Sequence, residues 1–142
     1  MKIVTLNRTN STKAFKFSTA DSYLRIINIS LILDDDLKSN WIQLASNFHL
    51  KITMIYVVYE DPEGRYIDDR QVEVPIYLRL APNQTQPIFA INQLIKNEVF
   101  KIGQAGEEKF FTTIKIELIE REVLNENYNL QIEVEKFQAE DC

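Results

Sequence analysis

Thr112-Thr113-Ile114-Lys115-Ile116-Glu117-Leu118 and Asn129-Leu130-Gln131-Ile132-Glu133-Val134-Glu135 alternate apolar with polar residues almost without a break. Ile114, Ile116 and Leu118 share one parity, as do Leu130, Ile132 and Val134. Lys115, Glu117, Gln131 and Glu133 hold the other. Successive side chains of a strand point to opposite faces, so this period describes strands with one face in a core and one in water. One-sided strands belong to antiparallel sheets. If the two segments are hairpin neighbours, like faces must stay together. The register that does so without opposing like charges pairs Ile114 with Val134, Ile116 with Ile132 and Leu118 with Leu130, leaving residues 121–127 as a polar connection.

Working back along the chain, more segments of this kind appear. Residues 2–6 read as a short strand, followed by the polar run Asn7-Arg8-Thr9-Asn10-Ser11-Thr12-Lys13, which favours loop and makes residues 1–13 a candidate N-terminal arm. Ala14 to Ser18 places Phe15 and Phe17 on one face. Tyr23 to Leu33 is longer, and its apolar phase changes by one residue at Ile26-Ile27, as a β-bulge requires. Leu37, Trp41, Leu44, Ala45 and Phe48 recur at spacings of three and four, which suits a short helix capped by Asp36.

Leu50 to Glu60 is a strand that becomes apolar on both parities from Met54 onward. Met54, Ile55, Tyr56, Val57, Val58 and Tyr59 are therefore covered on both faces, by the domain itself or by a partner, and form the candidate interface. Asp61-Pro62-Glu63-Gly64 has the residues of a type I turn with a glycine bulge. The strand Val72 to Leu80 follows, and Pro75 within it cannot donate to a ladder, so it belongs at a sheet edge. Ile88 to Asn97 reads either as a strand to Ile91 with a tight turn or as a short helix begun at Pro87. Glu98 to Ile102 is a strand. The expectation is one all-β domain: an antiparallel β-sandwich, jelly-roll or Ig-like, of about eight strands with one or two short helices.

Composition agrees with a soluble globular chain. There are 142 residues, 45% hydrophobic and 26% charged, which is enough to bury a core without staples. The single cysteine, Cys142, allows no internal disulfide. No apolar run approaches the roughly 20 residues of a membrane span, and the N-terminus turns polar too soon for a secretory leader, so the expected location is the cytoplasm. The net charge of −5 is uneven. Residues 1–33 hold five Lys/Arg against one Asp, whereas residues 98–142 hold five against eleven Asp/Glu. That split lets terminal strands lie side by side, or steers subunits to stack. An acidic chain without a basic cluster is not expected to bind nucleic acid.

Chemistry is harder to find. His49, between Phe48 and Leu50, is the only histidine, and it has no nucleophile or carboxylate at a telling spacing. Three glycines are too few for a phosphate cradle, and one histidine with one cysteine makes a zinc site implausible. No catalytic residue, cofactor or metal is expected. Tyr77, an aromatic on the polar parity of its strand, is the best candidate for stacking against a ligand ring.

In general character, being compact, glycine-poor, nearly cysteine-free and without leader or active-site motif, the chain is similar to small accessory proteins of tailed-phage particles. The likeness is one of character across the chain and not of a motif. It implies a non-enzymatic structural protein of a larger assembly, such as the capsid, tail or baseplate of a phage particle, whose partners are copies of itself or other subunits. The alternative is a small β-sandwich module binding carbohydrate, lipid or peptide.

Overall fold

The computed structural model describes residues 2–33, 41–57, 69–102, 106–122 and 127–138. Ten strands and one helix are laid down along them: β1 (Lys2–Leu6), β2 (Thr12–Lys16), β3 (Ser22–Leu33), α1 (Trp41–Ala45), β4 (Phe48–Val57), β5 (Asp69–Tyr77), β6 (Ile88–Lys96), β7 (Phe100–Ile102), β8 (Glu107–Lys109), β9 (Thr113–Glu120) and β10 (Tyr128–Gln138).

Eight strands form two antiparallel four-stranded sheets, ordered β1-β10-β3-β6 in sheet A and β2-β9-β4-β5 in sheet B, while β7 and β8 pair with each other. Among those eight, the chain changes sheet at every connection except β4 to β5. Each sheet therefore interleaves early and late strands, which is the jelly-roll order and not the Ig-like one. The inner faces meet in one core, in which Leu24, Ile26, Ile29, Leu50, Ile52, Ile114, Ile116, Leu130 and Ile132 are all fully buried.

This order corrects the expected C-terminal hairpin. β9 pairs with β2 and β4, whereas β10 pairs with β1 and β3 in the other sheet. Ile116 lies beside Ile52, and Ile132 lies between Val4 and Ile29. The parity of both segments holds, because Ile114, Ile116, Leu118, Leu130, Ile132 and Val134 are all buried. Periodicity states which face is apolar, not which strand is the neighbour. Here the two apolar faces meet across the core, not side by side.

The segment read as an arm is partly a strand. Val4 and Leu6 alternate with exposed Ile3 and Thr5 and are buried, so burial holds Lys2–Leu6 on sheet A as an edge strand. The phase change at Ile26-Ile27 is a bulge: Ile26 aligns with Val134 and Asn28 with Glu133, leaving Ile27 unmatched. β5 is an edge strand, as Pro75 requires. Among the described residues only Trp41–Ala45 is helical, with Trp41, Leu44 and Ala45 inward; Phe48 already belongs to β4, and Leu37 with Asp36 lies outside the described residues. So does the turn at Asp61–Gly64. Ile88–Lys96 is one strand through an irregularity at Asn92, whose φ of 49° is the left-handed conformation asparagine tolerates.

The uneven charge is used within the fold. β1, β2 and β3 pair with β9 and β10, and Arg8 bonds Glu120 while Arg25 lies 3.8 Å from Glu135. No helix among the described residues is long and apolar enough to cross a membrane.

Candidate docking surface

Two polar clusters close the ends of the sandwich. At one end Arg8 donates from Nε and Nη2 to the two carboxylate oxygens of Glu120, each at 3.2 Å. The Tyr128 hydroxyl donates a short hydrogen bond to the same carboxylate. The Arg8 guanidinium sits 5.7 Å from the Tyr128 ring centroid, and that ring packs on Phe48 at 4.5 Å. Burial first, then the bond to the Glu120 carboxylate and its negative charge, push the Tyr128 phenol above its ordinary pKa. At the other end Asn97, fully buried, donates to the carbonyls of Thr19 and Phe111 and accepts from the Phe111 N–H. Both clusters spend their polar groups on the fold itself.

The residues singled out in the sequence fall in different places. Met54 and Tyr56 are core residues, 8% and 5% exposed, so the domain itself covers their parity. Ile55 is half-buried on the outer face of sheet B. Val57 ends β4, and Val58 and Tyr59 lie outside the described residues. The strand between β9 and β5 is thus covered internally on one face at Met54 and Tyr56, and offers little to a partner there. Tyr77 is 54% exposed, but its ring lies against cross-strand His49, with centroids 5.1 Å apart. The two residues form a cross-strand aromatic pair.

The two outer faces of the sandwich differ in chemistry. That of sheet B carries Lys16, Lys51, Glu73, Lys115 and Glu117, with Lys51 and Glu73 joined at 3.1 Å. Mixed, paired charge is the ordinary chemistry of a solvated face. On sheet A the register aligns Ile3, Glu133, Asn28 and Ala90 in one row and Thr5, Gln131, Ser30 and Ile88 in the next, with Asn129 and Ile32 beyond. Glu133 is the only charge in these rows, and its carboxylate accepts from Asn28 Nδ2 at 2.8 Å; beyond the bulge the same face carries Arg25, Glu135 and Lys96, with Arg25 3.8 Å from Glu135.

Ile3, Ile32 and Ile88 are 61%, 44% and 49% exposed, and Leu94 further along β6 is 44% exposed. Between Ile3 and Ile88 on the two edge strands runs a trough of about 230 Å³, with Asn28, Ser30, Gln131 and Glu133 on the central strands between them. Ile32 leads from this face to a cleft of about 490 Å³ at the end of the sandwich, lined by Leu31, Leu33, Trp41, Thr85 and Pro87. A charge-poor patch of a sheet face with apolar residues at its rims and an apolar cleft at its end is suited to lie against another protein.

Sequence reading missed this surface, although its signal was present. Ile32 stands on the outward parity of β3 beside inward Leu31 and Leu33, and Ile3 stands outward beside inward Val4. A large aliphatic on the wet parity of a one-sided strand marks such a face. No metal-binding group of histidine, cysteine or carboxylate side chains occurs among the described residues. No family model and no curated protein matches this chain.

Proposed function

We propose that the chain is a non-enzymatic structural subunit of a larger protein assembly, of the kind built into phage particles, and that it docks through the outer face of sheet A. The observation that carries this reading is the part of sheet A's outer face bounded by exposed Ile3, Ile32 and Ile88, where Glu133 is the only charge, set against the mixed charge on the outer face of sheet B. Jelly rolls serve as viral capsid domains as well as lectins and cupins, so the fold is compatible with assembly by analogy alone. Sedimentation of extract from the native source tests the proposal. The chain, 16.7 kDa by itself, is expected with a high-mass particle, and Ile3→Glu/Ile32→Glu is expected to release it. Wild-type chain that sediments at its own mass contradicts the proposal.

A second reading, a small ligand-binding module, is favoured by the end cleft beside Trp41 and by the exposure of Tyr77. A glycan array tests its carbohydrate form. Retention that Tyr77→Ala abolishes supports it, and no retention by wild-type chain removes it.

A further inference from the structure

Two clefts meet at the end of the sandwich where β3 ends and β10 begins. One, of about 290 Å³, is walled by Asn7, Arg8, Thr9, Asn127, Tyr128 and Asn129; the other is the apolar cleft of about 490 Å³ beside Trp41, and the two share Ile32 and Leu33. Ile32 also belongs to the outer face of sheet A, so the clefts carry the docking face around its end.

Each cleft presents a hydrogen-bond donor that the fold does not use. In the first, the Asn10 N–H donates to Asn7 Oδ1 at 2.8 Å, which fixes the orientation of that amide, since only its oxygen accepts. Asn7 Nδ2 then donates to Asn129 at 2.9 Å, so the atom it meets is the Asn129 oxygen. The Asn129 Nδ2 is left without an acceptor among the described residues, on the wall of the cleft. In the second, Trp41 is nine-tenths buried, its ring in edge contact with Phe89 at 6.3 Å. Its Nε1–H donates to none of the described residues, yet among them the Tyr56 hydroxyl is the one buried side-chain polar atom without a partner. The indole N–H is therefore not sealed in the core, and it meets solvent where Trp41 lines the cleft.

These donors select the chemistry of an occupant. It supplies acceptors, and they are uncharged, because Arg8 is the only charged residue described on either wall and both oxygens of Glu120 already hold it. It also brings an apolar group to cover Leu31, Leu33 and Pro87. A polypeptide backbone carrying a large apolar side chain meets all three demands. A sugar ring needs an exposed aromatic face, whereas the Trp41 ring is almost wholly covered.

We infer that this end of the sandwich anchors an uncharged segment of a partner polypeptide, whose apolar side chain enters the cleft beside Trp41 and Pro87 and whose backbone carbonyls accept from Trp41 Nε1 and Asn129 Nδ2. The inference rests on the docking reading above and names the partner's chemistry at the end of that face. An apolar anchor filling a pocket, with its polar surroundings satisfied, is where interfaces concentrate their energy.

The test is selection of a displayed random peptide library on the immobilised full chain, followed by NMR titration with a synthetic peptide recovered from it. Trp41 is the only tryptophan, so its indole N–H gives a single resonance. The recovered peptides are expected to share a large apolar residue and to carry no net charge, and to shift the Trp41 indole and Asn129 side-chain amide resonances. Asn129→Asp keeps an oxygen for Asn7 and removes the donor, and is expected to weaken binding about tenfold. Thr85→Trp, at an exposed position on the cleft wall, fills the cleft and is expected to abolish binding. Circular dichroism checks that both variants fold, and Thr85→Trp decides the matter if the aspartate variant does not. No enrichment over a bare surface, peptides that leave the indole resonance in place, or binding indifferent to Thr85→Trp overturns the inference. So does a glycan that moves the indole resonance when no peptide does. A chain that sediments with a large particle but selects no peptide overturns the anchor alone and leaves the assembly reading standing. A chain that binds peptide here but sediments at its own mass does the reverse.

Discussion

Asn97→Ala should be among the most damaging single truncations of a polar residue in this chain. Asn97 is fully buried, and its side chain holds the Thr19 carbonyl at 3.0 Å, the Phe111 carbonyl at 2.8 Å and the Phe111 N–H at 3.1 Å. These bonds tie the end of β6 to the β2–β3 turn and to Phe111, two residues before β9. A neutral hydrogen bond contributes about 1 kcal/mol net, and a buried group left without a partner costs about 1–3 kcal/mol. Three lost bonds to one rigid site, with part of the deficit relieved by water entering the space, give about 3–4 kcal/mol. For a chain of this size that corresponds to a fall in Tm of roughly 10 °C. Urea unfolding followed by fluorescence of Trp41, the only tryptophan, measures it. Gln71→Ala, on an exposed position of β5, is the control and should stay within about 0.5 kcal/mol. A cost for Asn97→Ala below about 1 kcal/mol would mean that the three bonds are not made and that this end of the sandwich is closed differently.

Other outcomes follow from single features. The Tyr128 phenol is held above its ordinary pKa in the folded state, so its contribution is complete below the unfolded-state value of about 10 and fades as pH rises beyond that toward the folded-state value. Alkaline titration of stability should therefore show a loss above about pH 10 that Tyr128→Phe lacks; identical alkaline profiles would count against the Tyr128–Glu120 bond. The Tyr56 hydroxyl is buried without a hydrogen-bond partner among the described residues. Tyr56→Phe should accordingly be neutral or stabilising by up to about 1 kcal/mol in chemical denaturation, and a loss beyond about 1 kcal/mol would show that the hydroxyl has a partner after all. The Lys51–Glu73 pair, with side chains 35% and 55% exposed, should show a coupling of no more than about 0.5 kcal/mol in a double-mutant cycle and less in high salt; a coupling well above that would argue for a rigid, partly dehydrated sheet B surface.

What the sequence revealed and what it concealed divide along a physical line. Parity is local, so the buried faces of β3, β9 and β10 could be read directly, as could the bulge at Ile26-Ile27 and the edge position that Pro75 imposes on β5. Strand neighbours are not local. Ile114-Lys115-Ile116 and Leu130-Gln131-Ile132 carry the same pattern whether they pair in one sheet or face each other across a core, and only the interleaved order of the jelly roll decides that β10 lies between β1 and β3. Of the double apolar parity after Met54, Met54 and Tyr56 lie inside a central strand and Ile55 is half-covered outside. The exposed isoleucines went unnoticed because each one, alone, is an ordinary surface residue. Their meaning depends on rows that join Ile3 of β1 to β6 across two other strands.

The most direct test of the central claim, that sheet A is the docking face, is site-directed photo-crosslinking in the native source. A benzophenone side chain is placed at Ile32 on sheet A or at Lys115 on sheet B, and the products are resolved by mass. Crosslinking to a protein from position 32 but not from position 115 is the predicted result. Adducts from 115 alone, or in equal yield from both positions, would contradict it.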